Sequence, residues 1–389
     1  MRVLTLATEF PPAYGYGLGR YVAQHTAALA SAGAEVAVAC NNYDGSNERY
    51  DREGVEVSNA PIFIPFKGYT WIADVLQSNV LLLARAMEMA GRNGDFDILH
   101  LHDWLAASAA RSLMDAYDWP LVVSIHDTAL GKNQGRLDGD EHYVAQMEGW
   151  ICEHAEAVLA SSESIRQELI QAYRVPPDKI TVVGCGVNPQ SFETRSDPQL
   201  FKSVLCRADQ PLVAFVGRLA RMKGPHVLLE AVPRVLSLRP QTQFVFAGGG
   251  QMREGLENRT RELGVEGSVR FVGHLRGQVL ATFYRAADLV VVPSLYEPFG
   301  MVALEAAVCG TPVLVSDTGG LSEIVVDRVT GIKAPPNDPD ALARGILHLL
   351  HDPDAGRELA EQARARARGQ YRWEEVATRT MSVYERLVS

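Results

Sequence analysis

Short unbroken apolar runs alternate with amphipathic stretches along almost the whole chain, a rhythm that predicts parallel sheets covered by helices on both faces. The runs fall at residues 2–7, 35–40, 97–101, 121–125, 157–160 and 179–183, and again at 211–216, 243–247, 269–271, 289–292 and 312–316. Between them apolar residues recur at helical spacing, first over 21–32 and last over 373–387, where Val376, Met381, Val383, Tyr384 and Leu387 mark one face. GCGVNPQSF at 184–192 breaks the rhythm and reads as a linker. The pattern therefore predicts an α/β chain with one domain over 1–188, a second over 189–372, and a closing helix over 373–389 that docks at the junction by packing alone.

The stretch LVVVPSLYEPFGMVALEA, residues 289–306, carries the strongest chemical signal. A buried strand stops at Pro293, a loop bearing Glu297 follows, and Gly300 opens a helix whose first N–H groups have no partner within the helix. Phe299, Gly300, Met301 and Val302 thus present an anion-attracting helix start. Glu305 lies inside that helix among Val302, Ala303, Ala306 and Ala307, where an unpartnered carboxylate would cost several kcal/mol. Glu297 and Glu305 are expected to touch different parts of one elongated ligand.

Other strand ends add polar groups. The loop TEFPPAYGYGLG (8–19) holds Gly17 and Gly19 before a helix and reads as a glycine loop able to approach a ligand closely, with Pro11 and Pro12 separating it from a dinucleotide fingerprint. His102 and His126 follow the strands at 97–101 and 121–125, where an open parallel sheet places its ligand crevice. Arg218 and Lys223 leave the strand at 211–216 as a planar fork and a point charge suited to a diphosphate. The glycine turns at 248–250 and 273–274 suit a flat ring lying on backbone. Asp138, Asp140 and Glu141 form an acidic loop without the oxygen cluster that Mg²⁺ or Mn²⁺ needs, and no metal is expected.

With 389 residues, 47% hydrophobic and 22% charged, the chain has the composition of a two-domain globular enzyme. Residues 1–190 carry 13 Lys+Arg against 24 Asp+Glu, a balance of −11 within the total of −10, which disfavours nucleic acid or an anionic lipid surface. Five scattered cysteines form neither a zinc pattern nor a disulfide framework, so a reducing, cytoplasmic setting is expected. No apolar run is long enough to span a bilayer, and the oligomeric state is left open.

The amino-terminal Pro-Pro and glycine loop, GCGVNPQSF, GRLARMKG, EPFGMVALEA and the ending Tyr371-Arg-Trp373 together resemble the retaining glycosyltransferases of the "glycosyl transferases group 1" type over essentially the whole chain. HDTALGKNQG (126–135) and EGWICEHAEAVLASS (148–162) are similar to the glycogen-synthase-like branch. The resemblance implies a GT-B fold, two Rossmann-like domains with parallel sheets facing a central cleft, and a nucleoside-diphosphate sugar such as UDP-glucose or ADP-glucose as co-substrate, with no cofactor. It further implies that Arg218 and Lys223 hold the diphosphate and Glu305 the ribose. Glu297 and the 299–302 backbone would hold the sugar and phosphate, His126 would meet the donor sugar, and the Gly17 to Gly19 loop would reach the phosphate from the opposite side. Tyr16, His102, Asp138, Asp140 and Glu141 would line the acceptor side. The family's usual Gly-Gly reads Tyr16-Gly17 here, placing a side chain that narrows the acceptor entrance or shifts the loop. The expected acceptor is a glucan or a small polyhydroxy or amino-sugar molecule. A sugar-nucleotide epimerase and a non-catalytic sugar-nucleotide binder are the competing classes.

Overall fold

The computed structural model describes residues 1–12, 17–42, 48–62 and 71–389, which form two compact units, Met1–Gly186 with Trp373–Ser389, and Val187–Arg372. Among the described residues no helix is long and apolar enough to cross a membrane.

The first unit holds an eight-stranded sheet made of β1 (Arg2–Ala7), β2 (Glu35–Asn42), β3 (Arg49–Arg52), β4 (Val55–Pro61), β5 (Ile98–His102), β6 (Leu121–Ile125), β7 (Ala157–Ala160) and β8 (Ile180–Val182). Their order is β3-β4-β2-β1-β5-β6-β7-β8, parallel except for the antiparallel β3–β4 pair. Residue periodicity gives no sign of that pair. The RYDR of β3 is a polar edge strand, and β4 buries Ser58 and Asn59 where a buried strand should be apolar.

The second unit holds β9 (Leu212–Val216), β10 (Gln243–Ala247), β11 (Val269–Gly273), β12 (Leu289–Val292), β13 (Val313–Ser316) and β14 (Ile332–Ala334) in the order β11-β10-β9-β12-β13-β14, all parallel. Alternate residues feed two separate cores: Ala214, Val245, Val290 and Val315 pack on one side, Val213, Phe244, Val291 and Leu314 on the other. Burial on both faces is why these strands read as unbroken apolar runs.

The helix Trp373–Val388 packs on the first unit against the helix Gly17–Ser31. The chain leaves and re-enters that unit side by side: a Cβ on Gly186 would lie 2.6 Å from the Trp373 backbone nitrogen, so only glycine allows the approach.

Candidate active site

In each sheet the strand order reverses once, between β1 and β5 in the first and between β9 and β12 in the second, and loops at such a switch point splay apart to leave a crevice. The second switch point gathers the charged residues. Lys223 ends a short turn closed by Gly224 at φ 65°, where an added Cβ would sit 1.9 Å from the Pro293 carbonyl oxygen. This contact brings the two loops together. Lys223 Nζ lies 2.8 and 2.7 Å from the two carboxylate oxygens of Glu297, and Ser294 Oγ donates to Oε2 at 2.9 Å. From the other side Gly320 N donates to the Glu297 carbonyl at 2.8 Å, and a Cβ on Gly320 would lie 2.3 Å from the Phe299 oxygen. The loop bearing Glu297 is therefore clamped between two glycine turns.

Gly300, at φ 113°, turns this loop into the helix Met301–Cys309. Phe299, Met301 and Val302 are half-buried at its start, and Glu305 is buried, accepting a 2.7 Å hydrogen bond from the Tyr284 hydroxyl. Tyr284 is thus a partner of the carboxylate that the sequence required to have one. Arg218 stands exposed, its guanidinium 3.6 Å from the Met222 sulfur. The glycine turn at 248–250 packs against the chain itself. Added Cβ atoms on Gly248 and Gly250 would lie 1.8 and 2.4 Å from the carbonyl oxygens of Gly217 and Leu219, so what approaches these glycines is the chain's own β9 loop. Leu219 N donates back to Gly249 O at 2.8 Å.

The first switch point is lined by imidazoles. His100 and His102 share a face of β5 because alternate strand residues do. His25, from the helix Gly17–Ser31, meets them edge-on at ring-centre distances of 5.6 and 5.8 Å. His102 Nδ1 lies 2.9 Å from His126 Nε2, and the two rings stack at 5.2 Å. The closing helix joins the group: Tyr384 Oη is 2.6 Å from His100 Nδ1, Thr380 Oγ1 is 3.0 Å from His25 Nε2, and Trp373 packs edge-on to Tyr21. The expectation that this helix brings only packing is corrected by those two hydrogen bonds. His25, His100 and His102 also lie close enough to be weighed as metal ligands. Both nitrogens of His100 are engaged, however, by Ser124 at 2.8 Å and by Tyr384, so the trio offers two uncommitted nitrogens rather than three.

Burial holds these rings neutral, lowering His25 to about 3 and His100 and His102 well below the usual range. His126 is lowered to about 4 by burial, partly opposed by Asp127. Asp103 fixes the end of β5 against that of β6. Its amide donates to Ser124 O at 2.9 Å and its Oδ1 accepts from His126 N at 2.7 Å. It does so at φ 56°, ψ −178°, a conformation that costs a non-glycine residue roughly 1–3 kcal/mol.

Two further expectations change. Gly17 and Gly19 lie in the first turn of the helix Gly17–Ser31 rather than in a loop, with Gly19 and Tyr21 buried beneath. Packing of that turn overrides the poor helix propensity of glycine. Asp140 and Glu141 open the helix Asp140–His154, where acidic groups complement the dipole, and Glu141 accepts from the amide of the exposed Asp138 at 3.1 Å. Tyr16 lies outside the described residues. Tyr284, Ser294, Asp103 and the His25–His100 pair are the site residues that the sequence did not single out. The H-x-H spacing on a strand was the one available signal.

The profile of the family described as Glycosyl transferases group 1 matches residues 196–368, and that of Glycosyltransferase Family 4 matches residues 16–191. The glycogen synthase of Mycobacterium tuberculosis is 33% identical over 399 residues, covering 99% of this chain and 94% of that protein. The D-inositol 3-phosphate glycosyltransferase of Kribbella flavida is 33% identical over 346 residues, covering 85% of this chain and 81% of its own length. Among solved structures, sucrose-phosphate synthase from Thermosynechococcus elongatus superposes with a TM-score of 0.85 at 26% identity over 99% of this chain and 98% of that one.

Proposed function

This chain belongs to the glycosyl transferases group 1 family and has the GT-B fold, and from that premise we propose that it transfers a hexose, glucose in first place, from a nucleoside diphosphate to a hydroxyl acceptor with retention and without a metal. The observation that carries the reading is the Lys223–Glu297 pair, held at a switch point beside the start of the helix Met301–Cys309. In this reading the sugar leaves its diphosphate through an oxocarbenium-like transition state. Lys223, Arg218 and the helix amides stabilise the charge that builds on the leaving group, and fixed donors of this kind are usually the dominant catalytic term. Glu297 orients the sugar hydroxyls and favours positive charge on the ring. Glu305, steadied by Tyr284, receives the ribose hydroxyls. On the first unit, His126 is assigned to an oxygen of the transferred sugar.

The similarity to a glycogen synthase favours a glucan acceptor, and the similarity to a D-inositol 3-phosphate glycosyltransferase supports a small polyhydroxy acceptor as the second reading. The acidic first half suits a neutral or cationic acceptor better than an acidic one. The test is nucleoside diphosphate release from UDP-, ADP- and GDP-glucose, with and without glucan or small polyols, each repeated in EDTA. Acceptor-dependent release that survives EDTA is expected. Conversion of the sugar nucleotide without an acceptor would instead mark an epimerase, and full loss in EDTA restored by Mn²⁺ would overturn metal independence.

A further inference from the structure

We infer that His102 is a positioning residue that fixes the tautomer of His126, so that His126 offers an Nδ1–H donor to an oxygen of the ligand and does not act as a base. The inference rests on the hexosyltransferase reading only for the identity of that ligand.

Thr380 Oγ1 donates its one hydrogen to the Val376 carbonyl at 2.9 Å, so toward His25 Nε2 it can only accept. His25 therefore carries its proton on Nε2, and its buried Nδ1, which has no hydrogen-bond partner, is a bare lone pair. The Tyr384 phenol, a good donor, points at His100 Nδ1, which leaves the His100 proton on Nε2 for Ser124 Oγ. Neither ring passes a proton to His102.

Between His102 Nδ1 and His126 Nε2, 2.9 Å apart, there must be one hydrogen. If it belonged to His126, a neutral His102 would carry its own proton on Nε2. That atom is fully buried and has no partner, and a stranded N–H is among the rarest features of a folded interior. If the hydrogen belongs to His102, the stranded group is a weaker lone pair. His126 then accepts at Nε2 and must carry its own proton on Nδ1. A doubly protonated pair is opposed by burial, which keeps both rings neutral. His126 Nδ1 makes no hydrogen bond within the described residues, and His126 is the half-buried member of the group while His25, His100 and His102 are fully buried. Its N–H is therefore the one donor of the four rings left for a ligand, and its only lone pair is occupied by His102. Asp103 completes the arrangement by holding the His126 backbone amide at 2.7 Å.

The direct test is long-range ¹⁵N–¹H correlation on the full-length chain labelled with ¹⁵N-histidine at pH 7, with His126 assigned by its loss in His126→Gln. A protonated Nδ1 and an unprotonated Nε2 are expected, and the reverse pattern overturns the inference. The functional test compares two substitutions. His102→Asn places an amide N–H where Nδ1–H stands, and His102→Leu removes the donor at similar size. The Asn variant should keep kcat/KM within about threefold of the wild type. The Leu variant should lose at least tenfold while its thermal midpoint still marks a folded chain. Equal losses in both, or none in either, overturn the positioning role, and if the Leu variant does not fold, the Asn variant and the spectrum still decide. The wild-type rate should show no histidine limb between pH 6 and 8. A chain that transfers no sugar yet shows protonated His126 Nδ1 refutes the function and leaves this inference standing; an active chain protonated at Nε2 does the opposite.

Discussion

At the switch point of the second sheet a lysine and a glutamate meet in a partly exposed ion pair, while at that of the first sheet four imidazoles lie neutral against tyrosine and tryptophan. The same topological device thus holds two kinds of chemistry. The charged site joins residues 74 apart in sequence, on loops fixed by glycines that let one backbone touch another. The neutral site is assembled over long distances in sequence, with Tyr384 and Thr380 lying 284 and 355 residues from their histidine partners. In the second unit Arg218 stands exposed while Lys223 is held by Glu297, and hydrogen bonding in the first unit is committed before any ligand arrives.

The sharpest way to break this contrast is at Lys223. Lys223→Ala leaves a Glu297 carboxylate whose side chain is 10% exposed with Ser294 as its remaining neutral donor, and removes a cation from the leaving group. Turnover should fall roughly 100- to 1,000-fold, about 3–4 kcal/mol, with a smaller loss of donor affinity. Arg218→Ala, at an exposed position, should cost less. Nucleotide release and calorimetry measure the two quantities, and near wild-type turnover in both variants would move the diphosphate elsewhere.

Acid should separate the units by stability. The four clustered histidines have folded values below their unfolded one, so the stability they contribute is full above about pH 6.5 and is lost as pH falls toward their folded values, about 3 for His25 and about 4 for His126. Two carboxyls act the other way. Burial raises Asp103, and raises Glu148 to about 7, so their contribution is full at low pH and fades as pH rises. As pH falls from about 6.5 toward 4.5 the unfolded chain takes up histidine protons that the folded one refuses, and the raised carboxyls, Glu148 among them, offset only part of that uptake. The first unit should therefore lose stability on acidification in that window, by about 1.4 kcal/mol per pH unit for each proton left uncompensated. Urea midpoints read by a probe in each unit check this, and a first-unit midpoint flat from pH 7 to 4.5 would contradict it.

The smallest effect distinguishes the two glutamates. Glu305→Gln keeps an acceptor for Tyr284 but loses the charge, so donor affinity should weaken by about 1–2 kcal/mol, or 5- to 30-fold. Glu297→Gln releases Lys223 for the diphosphate, so affinity should hold while turnover drops. Affinity reduced alone in both variants would refute the separate roles.

How much of this could be read from residues follows the same division. Apolar runs located most strands of both sheets, and the ends of β9 and β12 announced Lys223 and Glu297 because charged residues there break an otherwise apolar pattern. The strands β3, β4 and β14 escaped because they are polar, edge-lying or three residues long. Tyr284 escaped because a tyrosine on an apolar helix face looks like core until the buried carboxylate opposite is known. Of the histidine network only His102 and His126 could be read, from their places at strand ends, since no spacing joins residue 25 to residue 380.

The return of Trp373–Ser389 to the first unit also bears on how the molecule is made. Synthesis runs from the amino terminus, so Val187–Arg372 is complete on emergence while the earlier unit still lacks the helix that partners His25 and His100. The segment translated first is thus the last to close, and a stop codon a few turns early would strand imidazoles laid down hundreds of residues before it.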